Sequence, residues 1–179
     1  MLKRIAVLFA VVGLSAVTAA PVEAHGRTPV DGTWEYFTEV LDVREVGCNT
    51  VLSLRESDEF AGDIVGTSNP DLGTSTVVLR CNGSTTFRGA IHFDEVTVDG
   101  RTGSMVLRAH GRLGAGETEW TGRWRIVRAW GGLEGLSGHG SWWGPGAGGP
   151  GLPGFLEYDG NVRINQHWRA ADAPVSADL

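Results

Sequence analysis

The residues able to do chemistry are few and scattered. Five histidines, His25, His92, His110, His139 and His167, form no H-x-H or H-x-x-x-H pair. A metal site would have to be assembled across strands. His92 and His110 would meet only if their segments pair suitably across the turn at Asp99-Gly100, and a carboxylate beside them would complete a ligand set. Solvated or singly bonded histidines on a polar strand face are the simpler reading, so no metal is expected. The chain holds no G-x-S-x-G sequence, and Leu136-Ser137-Gly138 offers a serine without an evident base or oxyanion hole. Asp31, Glu35 and Glu39 are neighbours in sequence. In a regular strand Glu35 and Glu39 stand about 13 Å apart, too far for a paired acid and base. Catalytic residues are therefore left unassigned, and no organic cofactor is expected.

Aromatic residues are the more informative set. There are seven tryptophans. Trp120 and Trp124 fall on one strand face, and Trp142 and Trp143 close a glycine-rich stretch. Rings of this kind wall a site for a flat apolar ligand or a sugar, or they fill a core. The candidate ligand-facing residues are Trp34, Tyr36 and Phe87 from the first half of the chain, with Met105, Trp120, Trp124 and Tyr158 from the second. Arg108, Arg123 and Arg125 would orient an anionic group or form the outer polar face of a strand.

These side chains need elements to position them, and the periodicity is that of strands. Gly32–Val46 reads as one long strand, bent midway. Shorter alternating segments follow at Cys48–Arg55, Phe60–Thr67, Thr74–Cys81, Thr85–Phe93, Gly103–Gly111, Glu119–Ala129 and Phe155–Gln166. Asn82-Gly83 and Asp99-Gly100 are hairpin signals; Asn82-Gly83-Ser84 is also a glycosylation sequon. Gly131–Trp143 carries too many glycines for a helix and reads as a strongly bent strand over Leu133–Trp143. Gly144–Gly154 is expected to hold no regular structure. About eight antiparallel strands close into a barrel just wide enough to be filled by side chains or to hold one small ligand, with glycines supplying the curvature.

The ends of the chain are of a different kind. Lys3 and Arg4 precede an apolar run over Ile5–Val17, and Val22-Glu23-Ala24 is a small-x-small cleavage site. Residues 1–24 read as a secretory signal peptide, with the mature chain starting near His25. Residues 25–169 make one domain, and 170–179 a disordered tail. The net charge of −6 argues against nucleic acid or an anionic membrane as partner. No second apolar run is long enough to span a bilayer as a helix. Export and an even cysteine count point to a Cys48–Cys81 disulfide.

Several stretches resemble a known pattern. Phe87-x-Gly89-Ala90-x-His92-Phe93 is followed by Val98-Asp99-Gly100-Arg101-x-Gly103-Ser104-Met105-Val106-Leu107. Later come Trp124-x-Ile126-Val127, Gly131-Gly132-Leu133-x-Gly135-Leu136-x-Gly138-x-Gly140 and Tyr158-Asp159-Gly160. Together, over roughly 60–162, they resemble a bacterial family of unknown function grouped with the allene oxide cyclase-like, or dirigent-like, β-barrels. The resemblance implies an all-β, eight-stranded antiparallel barrel that takes an apolar molecule and steers a cyclisation or coupling without a cofactor. The matching motifs are structural, so no catalytic residue is carried over. The expectation is a secreted barrel binding an apolar or aromatic small molecule in its lumen. The alternatives are a cofactor-free cyclase or isomerase acting on such a ligand, and a non-catalytic interaction protein with a filled barrel.

Overall fold

The computed structural model describes residues 26–147 and 152–164. Nine strands follow one another: β1 (Thr28–Val46), β2 (Asn49–Gly62), β3 (Ile64–Thr67), β4 (Thr74–Leu79), β5 (Thr85–Val98), β6 (Arg101–Leu113), β7 (Trp120–Gly131), β8 (Leu136–Ala147) and β9 (Gly154–Ile164). The described residues contain no helix. Every pairing is antiparallel. Hydrogen bonding runs β1-β9-β8-β7-β6-β5-β3-β2, and β2 returns to β1, so the ladder forms a ring through eight strands. The ninth strand, β4, pairs with both β2 and β5 alongside β3. The leader, His25, His167 and the tail lie outside the described residues.

Period-two alternation decides which side chains enter the ring. Phe93, Met105, Leu107 and Tyr158 are almost fully buried, each worth about 1.5–3 kcal/mol relative to exposure. Their odd-numbered neighbours in β5 and β6 continue the face, with Ile91 and Ala109 also inside. Small residues make room for the largest rings. A Cβ at Gly122 would stand 2.1 Å from Trp142, and one at Gly160 would stand 2.5 Å from Trp124. Register shifts fall at Val40/Asp42 in β1 and Phe93/Val96 in β5, the irregularities that let a strand bend. The Asp99-Gly100 hairpin turns with φ of 51° and 71°, the left-handed pair that a two-residue turn needs.

Several boundaries differ from the sequence expectation. The segments Cys48–Arg55 and Phe60–Thr67 are divided elsewhere: β2 runs unbroken through Glu56-Ser57-Asp58-Glu59, and the break falls at Gly62–Asp63. This acidic run stays in the strand because Glu56 and Asp58 point inward and are hydrogen-bonded there. Nine strands form where eight were expected; the ring itself runs through eight, and β4 is the additional one. The bent strand begins at Leu136 rather than Leu133, because Glu134 N and Leu136 N donate back to Gly131 O and Leu133 O in a turn. Gly144–Gly154 is partly regular. Gly146 pairs with Phe155 and Ala147 with Gly154, since backbone pairing needs no side chains. Pro145, which has no N–H to give, sits in the register shift between Trp143 and Gly146. Residues 148–151 of that loop lie outside the described set.

Beyond Tyr36 the β1–β2 hairpin continues and exposes Leu41, Val43 and Val46. Its turn is tied to the end of β4 by the Cys48–Cys81 disulfide, with Cα atoms 5.5 Å apart and a sequence separation of 33. A loop of that size contributes about 3–4 kcal/mol on the chain-entropy account.

Candidate functional site

The interior is packed in one part and open in another. In the packed part Phe60 meets Phe93 edge-on and Tyr158 at a tilt. Three of the expected ligand-facing residues lie here. Met105 is fully enclosed. Trp124 donates Nε1 to Asp159 O at 3.0 Å. Tyr158 receives Ile64 N at 3.0 Å on its hydroxyl and lies against Ala61 O and Ile64 O, tying β9 to β2 and β3. Burial pushes the Tyr158 phenol up to about 12. These three hold the sheet together and do not face the open part.

The open part is a cavity of about 240 Å³. The other four expected residues, Trp34, Tyr36, Phe87 and Trp120, line it, and Trp142 joins them. Trp142 is the hub of this wall: its ring stands 5.7 Å from Trp34, 6.0 Å from Phe87 and 6.4 Å from Trp120. It occupies the space left by Gly111 and Gly122, and Nε1 donates to Arg123 O at 3.3 Å. Tyr36 and Trp120 both lie against Gly146. Leu52, Leu54, Val77 and Leu156 complete the apolar wall.

One ionisable carboxyl enters this wall, and it is Glu56. Only 7% of the residue is exposed, and Ser75 Oγ donates to Oε2 at 2.5 Å. Asp58, 2% exposed, is the next inward residue of β2. It accepts Trp34 Nε1 at 2.9 Å on one oxygen and Ser68 Oγ at 2.9 Å on the other. Loss of hydration raises the Glu56 carboxyl, and the neighbouring Asp58 charge raises it further against the smaller opposing pull of Ser75. Desolvation raises Asp58 too, against the opposing hydrogen bonds from Trp34 and Ser68. Loss of hydration and the Asp58 charge both favour the neutral acid form of Glu56 within its aromatic enclosure. It can donate a hydrogen bond or a proton to a ligand.

Trp142 stands out in the sequence as a wall-forming ring without being among the candidate ligand-facing residues, whereas Glu56 and Asp58 go unmarked. The signal is nevertheless there, since Leu52, Leu54, Glu56, Asp58 and Phe60 keep one parity along β2. An acidic run reads as solvated face, and parity loses to polarity.

The remaining chemistry-bearing residues stay apart. His92 pairs with Val106, whereas His110 pairs with Arg88, so the two histidines do not meet across the β5–β6 turn. Among the described residues no group of three His, Cys, Asp or Glu side chains is placed to hold a metal ion. Ser137 is half-buried and its Oγ accepts Arg163 Nε at 3.3 Å; its hydrogen-bond partner is Arg163, not His139 of the same strand. Glu39 pairs with Arg55 at 3.2 Å. Arg108, Arg123 and Arg125 lie on the outer face, with Arg108 directly opposite Arg125 and His110 opposite Arg123.

Comparison with known proteins agrees with this architecture. No curated protein shows significant similarity to the chain. A crystal structure of a DUF3224-family protein of unknown function from Shewanella oneidensis MR-1 shares its fold. The match has a TM-score of 0.54 at 21% identity, covering 75% of this chain and 96% of that one. Residues 41–144 match the family described as "Protein of unknown function (DUF3224)", and the chain belongs to that family.

Proposed function

We propose that the eight-stranded ring is a barrel of the allene oxide cyclase-like kind, and that its open part binds one apolar or aromatic small molecule. The observation that carries this is the cavity of about 240 Å³ walled by five aromatic rings around one buried carboxyl. A dry apolar cavity of about 150 Å³ takes benzene, so this one suits a ligand of one or two rings. The rings supply dispersion and stacking, and Glu56 supplies orientation. A barrel filled by its own side chains would leave no such space. Export through a cleaved leader fits the Cys48–Cys81 disulfide, and no helix among the described residues is long and apolar enough to cross a membrane.

A second reading is favoured by Glu56 alone. A neutral carboxylic acid in an aromatic site is equipped to hand a proton to a ligand and take one back, as a cofactor-free cyclase or isomerase requires. In that case Glu56→Gln abolishes turnover and leaves binding largely intact.

Mass spectrometry of small molecules retained by the purified protein tests the main reading. A stoichiometric apolar species is expected. If none is retained and no apolar probe perturbs tryptophan fluorescence, the reading is wrong.

A further inference from the structure

We infer that the ligand of this cavity is an organic cation, a substituted ammonium on a small apolar or aromatic body, with its charge turned towards Glu56 and its flanks against the indole faces. The inference rests on the proposal that the cavity binds a small molecule and adds the sign of the charge.

Three observations carry it. First, the cavity has one sign of potential charge. Glu56 lines it and Asp58 lies one inward position further along β2, while no Lys, Arg or His is among its described lining residues. The ion pairs among the described residues belong to Arg55, with Glu39 and Asp71 on the exposed surface. Neither buried carboxyl has a cationic partner from the protein. Second, the two carboxyls are unequally satisfied. Asp58 has Trp34 on one oxygen and Ser68 on the other. Glu56 has Ser75 on Oε2 alone, which leaves Oε1 for a guest. Third, the rest of the wall is aromatic. Trp34, Trp120 and Trp142 offer indole faces, the best π surface for a cation, and Tyr36 and Phe87 add two more rings. With Glu56 ionised, an anion would meet like charge and a neutral guest would gain a single hydrogen bond. A cation gains the ion pair and the ring faces together.

Binding is then linked to protons. The titratable groups facing Glu56 are Asp58 from the same strand and the Tyr36 phenol from β1; the side chains lining the cavity from β4, β5, β7, β8 and β9 do not ionise. Burial, then Asp58, raises the Glu56 carboxyl, so a cation must displace its proton. Affinity rises with pH across neutrality and a proton is released.

The test compares three probes of similar shape by calorimetry and tryptophan fluorescence: phenyltrimethylammonium, neutral tert-butylbenzene and anionic benzoate. At pH 8.5 the cation is expected to bind at least about tenfold tighter than the neutral probe, the size of an ion pair plus cation–π contact. The advantage should shrink at pH 6, and benzoate should not compete. Calorimetry of wild type in two buffers of different ionisation enthalpy should show proton release, and this needs no variant. Glu56→Gln, checked for folding by its melting curve, should equalise the cation and the neutral probe. Equal or tighter binding of the neutral probe, or binding of benzoate, overturns the charge assignment and leaves the binding site standing. Binding of none of the three overturns both.

Discussion

Asp58 and Glu56 both lie inside the sheet, yet they are held in different ways. Asp58 is a structural acceptor, and its two oxygens answer Trp34 and Ser68. Asp58→Val should strand both donors and cost about 1–3 kcal/mol for each buried group left unpaired, read as a lower midpoint in urea. Glu56 should behave oppositely. Its folded pKa lies above the ordinary value of 4.5, pushed up to about 8. The folded state therefore holds a proton that the unfolded state has lost. The stability this represents is complete below about pH 4.5 and is lost as pH rises to about 8. Asp58 adds a loss in the same direction, ending near pH 6. Wild type should melt at progressively lower temperature from pH 5 to pH 8.5. Glu56→Gln should lie flat above about pH 6 and melt above wild type at pH 8.5. A wild-type melting temperature that climbs over this range would contradict the buried-acid description. Neither carboxyl was legible as a site residue, because a charged run in a strand is ordinarily a solvated face. The four aromatics at the cavity were legible because ring size and parity point the same way.

At the scale of the element, β8 depends on glycines that make room rather than chemistry. A Cβ at Gly138 would stand 2.8 Å from Val162, 2.9 Å from Asn161 O and 3.2 Å from Ile126. Gly138→Val should cost about 1–3 kcal/mol through overpacking, with or without ligand. An unchanged melting temperature would remove the packing argument for this strand. Across β6 and β7, Arg108 faces Arg125, and directly opposed like charges disfavour a sheet. Arg108→Glu should raise stability by roughly 0.2–1 kcal/mol in low salt, an effect that salt erases. The strands themselves could be read from alternation and from the Asp99-Gly100 turn. The start of β8 could not, since five glycines over 131–140 suit a turn and a strand equally. The end of β8 could not either, since Gly144–Ala147 is held by pairing with β9 that no local pattern announces.

For the whole molecule, one ring of strands is packed by Phe60, Phe93, Trp124 and Tyr158 and open beside Trp142 and Glu56. A disulfide fastens the hairpin that projects past the open part. Reducing it should lower stability by about 3–4 kcal/mol without removing the cavity wall, since neither cysteine lines it. The central claim is that this cavity is a ligand site. Val77 lines it from β4, opposite Leu52 and Phe87 in the ladder, and Val77→Trp fills it while keeping a strand-favouring residue. The deciding measurement is a tryptophan-fluorescence titration of wild type and Val77→Trp with the same phenyl probe, beside their melting curves. Wild type should bind and the variant should bind at least about tenfold more weakly at a similar melting temperature. A variant that folds and binds as wild type does would contradict the account.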